Sequence, residues 1–271
     1  MIKDDANQWD KYASELYPLL DTYVQKHVDK VVTNYLQTAY GFFAFYTEDL
    51  RSKVISNDEY WDDASLFILY MHDNLRSLIP LHSYMHMAPS AYVLRSIFES
   101  WCTARYIFID PQVRFPLYRD FELVEKYSAH IKGTNPIPSQ AEVDNIKAKI
   151  KPWLYNDRKG QERINYNWTR DRNINLPKMA KDSKLDEHYS GIYSNASIFT
   201  HCSSVLRNSY QGRAGISPMP LNDQGALLSL MGAHYGIEFL EDFYKFFGIA
   251  FPSYEKALLG TMLLEAGKKY S

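Results

Sequence analysis

Arg95 and Glu99 stand four residues apart in the segment LRSIFESWCTARYIFI, among side chains that a solvent-facing helix would not carry. On a helix they share one face. Because Val93, Leu94, Ile97, Phe98, Trp101, Ile107 and Phe108 leave little of that helix for water, the charges are expected to be buried. Burying an ion costs several kcal/mol unless it is paired and hydrogen-bonded, so both residues need partners from another part of the chain. The segment YSNASIFTHCSSVLR supplies candidates. At roughly 100° per helical residue, Tyr193, Ser197, His201 and Ser204 fall within about a quarter turn of one another, whereas Ile198, Phe199 and Val205 point elsewhere. The economical arrangement sets this polar stripe against Arg95 and Glu99.

Two readings of that cluster follow. In one, Glu99 orients His201 and raises its basicity, Arg95 holds an anionic group, and Ser197 and Tyr193 support it with hydrogen bonds. An imidazole can deprotonate a ribose hydroxyl and a guanidinium can stabilise a charged phosphorane, so phosphodiester cleavage suits these residue types without a metal or other cofactor. In the other, the same residues form a structural network fixing how two central helices cross, in a non-catalytic binding or scaffold protein.

A second histidine cluster, HSYMHM, places His82 and His86 at ligand spacing with His72 and Asp73 nearby. No HExxH arrangement accompanies it, and metal binding is the weaker reading. From Lys147 to Lys184 the chain is strongly basic, with Lys147, Lys149, Lys151, Arg158, Lys159, Arg163, Arg170, Arg172, Lys178, Lys181 and Lys184 against Asp157, Glu162, Asp171 and Asp182. Trp153, Tyr155, Tyr166 and Trp168 are interleaved there, which suits contact with single-stranded RNA through charge and stacking. Arg170, Arg172 and Trp168 are its substrate-binding candidates. The sequon at Asn167 carries no weight without an export signal.

The elements that position these residues are helical. Apolar residues from Trp9 to Leu36 recur at three- and four-residue spacings, predicting one long first helix flawed by Pro18 and ending at Gly41, after which FFAFYTEDLRSKVI forms a shorter one. Further helices are expected over about 58–81, from near Pro89 to Asp110, over 112–132, and after Ser139, where Ser139 and Glu142 make a capping box. The region 153–183 reads as irregular apart from a turn at LPKMA. Helices over about 186–210, 223–247 and 253–268 close the chain. No strand hairpin, internal repeat or low-complexity tract is evident.

The expected fold is therefore all-α: one helical domain over 1–271, with N-terminal helices to 57, central helices over 58–132, a basic insertion over 147–184 and C-terminal helices from 185. With 46% hydrophobic residues in 271 and a formal net charge of −2, a sizeable core is expected and the whole molecule is no polyelectrolyte. The acidic start MIKDDANQWDK, the charges inside each apolar segment and only two cysteines, Cys102 and Cys202, point to a cytoplasmic protein without a membrane span.

YVLRSIFES, WTRDRNINLPKMA and HYSGIYSNASIFTHCSS together resemble a bacterial family of all-helical proteins of unknown function, over about Leu75 to Ser204. That family carries an L-R-S-x-x-E helix and a Y-x3-Y-x3-S-x3-H helix, matched here by Arg95 and Glu99 and by Tyr189, Tyr193, Ser197 and His201. The resemblance implies one shared site and brings no reaction with it. RSLIPLH, Arg76 to His82, is also similar to the loose arginine–histidine pattern of HEPN ribonucleases, although Pro80 interrupts it and Ser77 departs from it. Arg207-Asn208 has the expected dipeptide but no histidine follows. By that analogy the expectation is an RNase serving phage defence or acting as a toxin, with RNA, a second copy of the chain or another protein as partner.

Overall fold

The computed structural model describes residues 29–54, 58–83, 87–193, 196, 211–212, 215–216 and 222–268. Its regular structure is overwhelmingly helical, as the periodicity predicts. In chain order the helices are α1 (Lys30–Lys53), α2 (Trp61–Ser83), α3 (Met87–Ile109), α4 (Pro111–Ile131), α5 (Gln140–Lys149), α6 (Leu176–Asp182), α7 (Asp186–His188), α8 (Asn222–Phe246) and α9 (Ser253–Gly267).

Local chemistry explains most of the boundaries. Asp29 opens α1, its carboxylate accepting from the Val31 and Val32 amides at 2.9 and 3.4 Å. The Ser139 hydroxyl caps α5 by accepting from the Glu142 amide at 3.2 Å. The reciprocal half of the expected capping box is not made, because the Glu142 carboxylate binds Lys126 at 2.7 Å instead. Pro111 occupies the first turn of α4, where its missing N–H costs nothing. Gly133, at φ +71°, ends that helix.

Two expectations are corrected. No break occurs at Gly41: α1 runs through it, with Phe43 and Leu50 continuing the buried face begun by Val32, Tyr35 and Leu36. Gly41 is exposed, and a helical glycine costs only about 1 kcal/mol relative to alanine, which the burial of those side chains outweighs. Trp9 and Pro18 lie outside the described residues. The other correction is a hairpin within the basic segment, where β1 (Leu154–Asn156) pairs antiparallel with β2 (Glu162–Ile164), Leu154 opposite Ile164. Each strand is three residues long, too short for alternation to register in the sequence. A two-residue ladder joins β3 (Gln211–Gly212) to β4 (Gly215–Ile216).

The chain divides into two compact units. The first takes the described parts of Met1–Lys53, Leu69–Phe98 and Gly191–Ser271. Within it α8 lies along α1, and α9 packs on both. The Tyr244 hydroxyl on α8 points at the Tyr46 carbonyl and the Asp49 carboxylate of α1, each at 2.7 Å. Lys256 of α9 binds Glu238 at 2.6 Å and also Glu241 on α8. Gly232 and Gly236 let α8 approach Leu78, Ile97 and Leu75 closely.

The second unit comprises Val54–Ile68 and Glu99–Ser190. Its core includes Val124, Tyr127, Ile137, Val143, Ile146, Ile150 and Trp153, gathered from α4, α5 and the chain beyond. Asn167 organises the rest of the basic segment. Its side-chain oxygen accepts from the Thr169 amide and hydroxyl at 3.0 and 2.8 Å, and its amide donates to the Asp171 carbonyl at 2.8 Å and to that of Ile174. Asn175 then caps α6, which covers the turn expected at LPKMA. Among the described residues no helix is long and apolar enough to cross a membrane.

Candidate functional site

Arg95 needs a partner, and the structure supplies one from the expected stripe. Its Nη2 donates to the Tyr193 hydroxyl at 3.0 Å, across 98 positions of sequence. The guanidinium carbon lies 5.1 Å from the centroid of the same ring. Tyr193 is held in turn by Phe98, whose ring centroid is 5.2 Å away, and Phe98 also meets Tyr235 at 5.9 Å. Arg95 is half-buried, whereas Tyr193 is 7% exposed. The phenol thus fixes the plane of the guanidinium.

Tyr193 closes a π-helical turn, Tyr189–Tyr193, that follows α7. The helix expected over 186–210 therefore starts as a short α-turn and widens at once. Such widened turns recur at functional positions. Ser197 and His201 lie outside the described residues. Glu99 sits half-buried one turn beyond Arg95 on α3, at the first residue of the second unit.

Cys102, also on α3, is fully buried. Burial pushes its thiol up to about 12, with Arg105 lowering and Glu99 raising it, so it is a packing group and not a nucleophile. His82 is buried with Nε2 3.4 Å from the Asp29 carbonyl, and burial depresses its pKa. His72 faces the Tyr40 hydroxyl at 2.9 Å. His86 lies outside the described residues, among which no group of three or more histidine, cysteine or acidic residues is placed to hold a metal.

The structure does not bring Arg76 and His82 together. Both lie on α2, six residues and about 240° of rotation apart, and Arg76 is exposed while His82 is buried. The aromatic residues of the basic segment are engaged internally. Arg170 rests 4.2 Å over the ring of Trp153, which is 1% exposed, and Arg172 rests 3.7 Å over Tyr155. Trp168 is half-buried, edge-on to Tyr106 and Tyr118 at 6.0 and 5.4 Å. These contacts are what the alternation of Trp, Tyr and Arg builds. A cleft of about 450 Å³ lies beside Tyr155, within the basic and aromatic segment, but none of the candidates Trp168, Arg170 and Arg172 lines it.

A family of unknown function, DUF5677, matches residues 64–214, more than half of the chain. The protein belongs to that family. No curated protein and no solved structure matches the chain. The family's region is somewhat wider than the Leu75–Ser204 stretch that carries the motifs. It contains Arg95, Glu99, Trp168, Arg170, Arg172, Tyr193, Ser197 and His201, and it leaves out α1, α8 and α9.

Proposed function

We propose that the family region is a metal-independent ribonuclease, with His201 as general base or acid, Glu99 as its orienter and Arg95 as the contact to phosphate. The observation that carries this reading is the hydrogen bond from Arg95 to Tyr193. It fastens α3 to the start of the stripe in which Ser197 and His201 follow at four-residue steps. A guanidinium has five N–H donors in a rigid fork, so a phenol that accepts from one of them fixes the plane of the whole group. Positioned donors and a nearby imidazole are the parts that transfer of a phosphoryl group to a ribose hydroxyl requires. An RNase of this kind suits a defence or toxin module.

The test is cleavage of a labelled single-stranded RNA by the full chain with a chelator present. Turnover should fall about 10²–10⁴-fold in His201→Ala. Cleavage that survives in that variant refutes the assignment.

A non-catalytic binding or scaffold protein is the second reading, favoured by the burial of Tyr193 against Phe98 and by the packing of Arg170 and Arg172 on aromatic rings. It expects no cleavage, and a loss of about 3–5 kcal/mol in stability when Glu99 or His201 is truncated, as breaking a buried network does.

A further inference from the structure

The second unit holds a cleft of about 450 Å³, within the range of sites that enclose small ligands. One wall is a face of α5 carrying Asp144 and Lys147, extended by Lys151, and the other is β1 with Leu154, Tyr155 and Asn156. Asp144, Lys147 and Lys151 follow one another at three- and four-residue steps, and so present one row of functional groups to the strand.

The cleft lining itself carries two cations, Lys147 and Lys151, and two carboxylates, Asp144 and Glu162, so the excess of positive charge stands around it. Between Asp144 and Arg163 six basic residues face three carboxylates. Lys147 binds Glu162 at 2.8 Å and Arg163 binds Asp157 at 3.0 Å. Lys149, Lys151, Arg158 and Lys159 are exposed and make no ion pair among the described residues. Lys151 lines the cleft itself, and Arg158 with Lys159 occupies the hairpin turn directly after Asn156. Unpaired cations therefore stand at both ends of the strand that forms the wall.

Tyr155 gives the cleft a flat aromatic surface. Its ring is held by the Arg172 guanidinium at 3.7 Å, and Arg172 is not one of the residues lining the cleft, so the brace comes from outside it. The neighbouring Asn156 amide offers a donor and an acceptor to the edge of a planar ring. An aromatic platform, an amide beside it and cations before and after it in the chain are the parts a single strand engages, a base on the ring and phosphates on the cations. An acidic peptide would use the cations but not the platform, and a duplex would keep its bases from Tyr155.

We infer that the cleft between α5 and β1 binds single-stranded RNA, stacking one base on Tyr155 and placing phosphates at Lys151 and at the Arg158–Lys159 turn. This deepens the ribonuclease reading and rests on it only for the biological role of the bound strand.

The test is fluorescence anisotropy with a fluorescein-labelled ten-nucleotide oligouridylate, using the full chain carrying His201→Ala so that the probe stays intact. Tyr155→Ala and Lys151→Glu should each weaken binding about tenfold. Lys151→Ala should reduce the salt dependence by about one counterion. Tyr155→Trp should bind at least as tightly as Tyr155, and it keeps the platform should Tyr155→Ala disturb the hairpin. Lys181→Glu, the same charge change on α6, should stay within about twofold. Equal losses for Lys151→Glu and Lys181→Glu overturn the inference. So does unchanged binding by Tyr155→Ala, equal affinity for a ten-residue polyglutamate, or no binding at all. RNA cleavage that ignores the cleft variants would sink this site and leave the ribonuclease standing. Cleft-dependent binding without cleavage by the unsubstituted chain would do the reverse.

Discussion

The same substitution should have opposite signs at two helical glycines. In α8 a Cβ on Gly236 would lie 2.6 and 2.7 Å from the Leu75 methyls and 3.0 Å from its Cγ. Carbon atoms settle at about 3.5–4.0 Å, so the whole isobutyl group must move by nearly 1 Å. Leu75 is 3% exposed and has nowhere free to go. Overpacking of this kind costs about 1–3 kcal/mol, against about 1 kcal/mol gained from replacing a helical glycine by alanine. Gly236→Ala should therefore lose about 1 kcal/mol net. Gly41→Ala meets nothing within 4 Å and should gain about 0.5–1 kcal/mol. For a chain of this size each kcal/mol moves Tm by roughly 2–4 °C, so thermal melts should show Gly41→Ala above the parent and Gly236→Ala below it. Gly232→Ala, blocked chiefly by one Leu78 methyl at 2.9 Å, should fall between. Adding Leu75→Ala to Gly236→Ala should reveal a favourable coupling of about 0.5–3 kcal/mol. A Gly236→Ala protein stabilised as much as Gly41→Ala would refute the close approach of α8 to Leu75.

Three further outcomes are expected. Burial depresses the His82 imidazole below its usual 6.5, only partly opposed by the Asp29 carbonyl. The unfolded chain therefore binds this proton first, so stability is full above about pH 6.5 and falls as the pH drops through the folded value. Melts from pH 7 to 5 should show that loss, and His82→Gln should flatten it. Asn167→Ala removes four side-chain hydrogen bonds and should cost about 2–4 kcal/mol, with faster amide exchange concentrated at Thr169 and over Asp171–Ile174. Tyr193→Phe deletes one acceptor for Arg95 while keeping the Phe98 contact. It should cost about 1 kcal/mol by urea denaturation, less than the roughly 1.5–3 kcal/mol of a buried hydrogen bond to a charged group because Arg95 is only half-buried, and a neutral result would show that the bond contributes nothing.

What was legible in the chain followed from local rules and from energetic necessity. Helical period, the proline at Pro89 and the cap at Ser139 are decided within a few residues, and these elements stand where expected. Gly41 misled because propensity is local while the buried face of α1 that overrides it is tertiary. Gly232 and Gly236 are the converse case: they are contact surfaces for Leu78 and Leu75, which no local rule indicates. The hairpin at 154–164 depends on turn chemistry around Asp157, whose carboxylate accepts from the Lys159 and Gln161 amides, and on Gly160 at φ +75°. Without that reversal Arg170 and Arg172 look like free charges. With it, Trp153 and Tyr155 come beneath them, and the cations left over are those at Lys149, Lys151, Arg158 and Lys159. Tyr193 was legible for a different reason: a charge set into an apolar helix must be met from elsewhere, and few polar residues share a face with apolar flanks. That constraint located the partner of Arg95 across 98 residues, whereas no comparable cost attaches to leaving a surface lysine unpaired, and so the cleft at Tyr155 emerges only once the hairpin is folded.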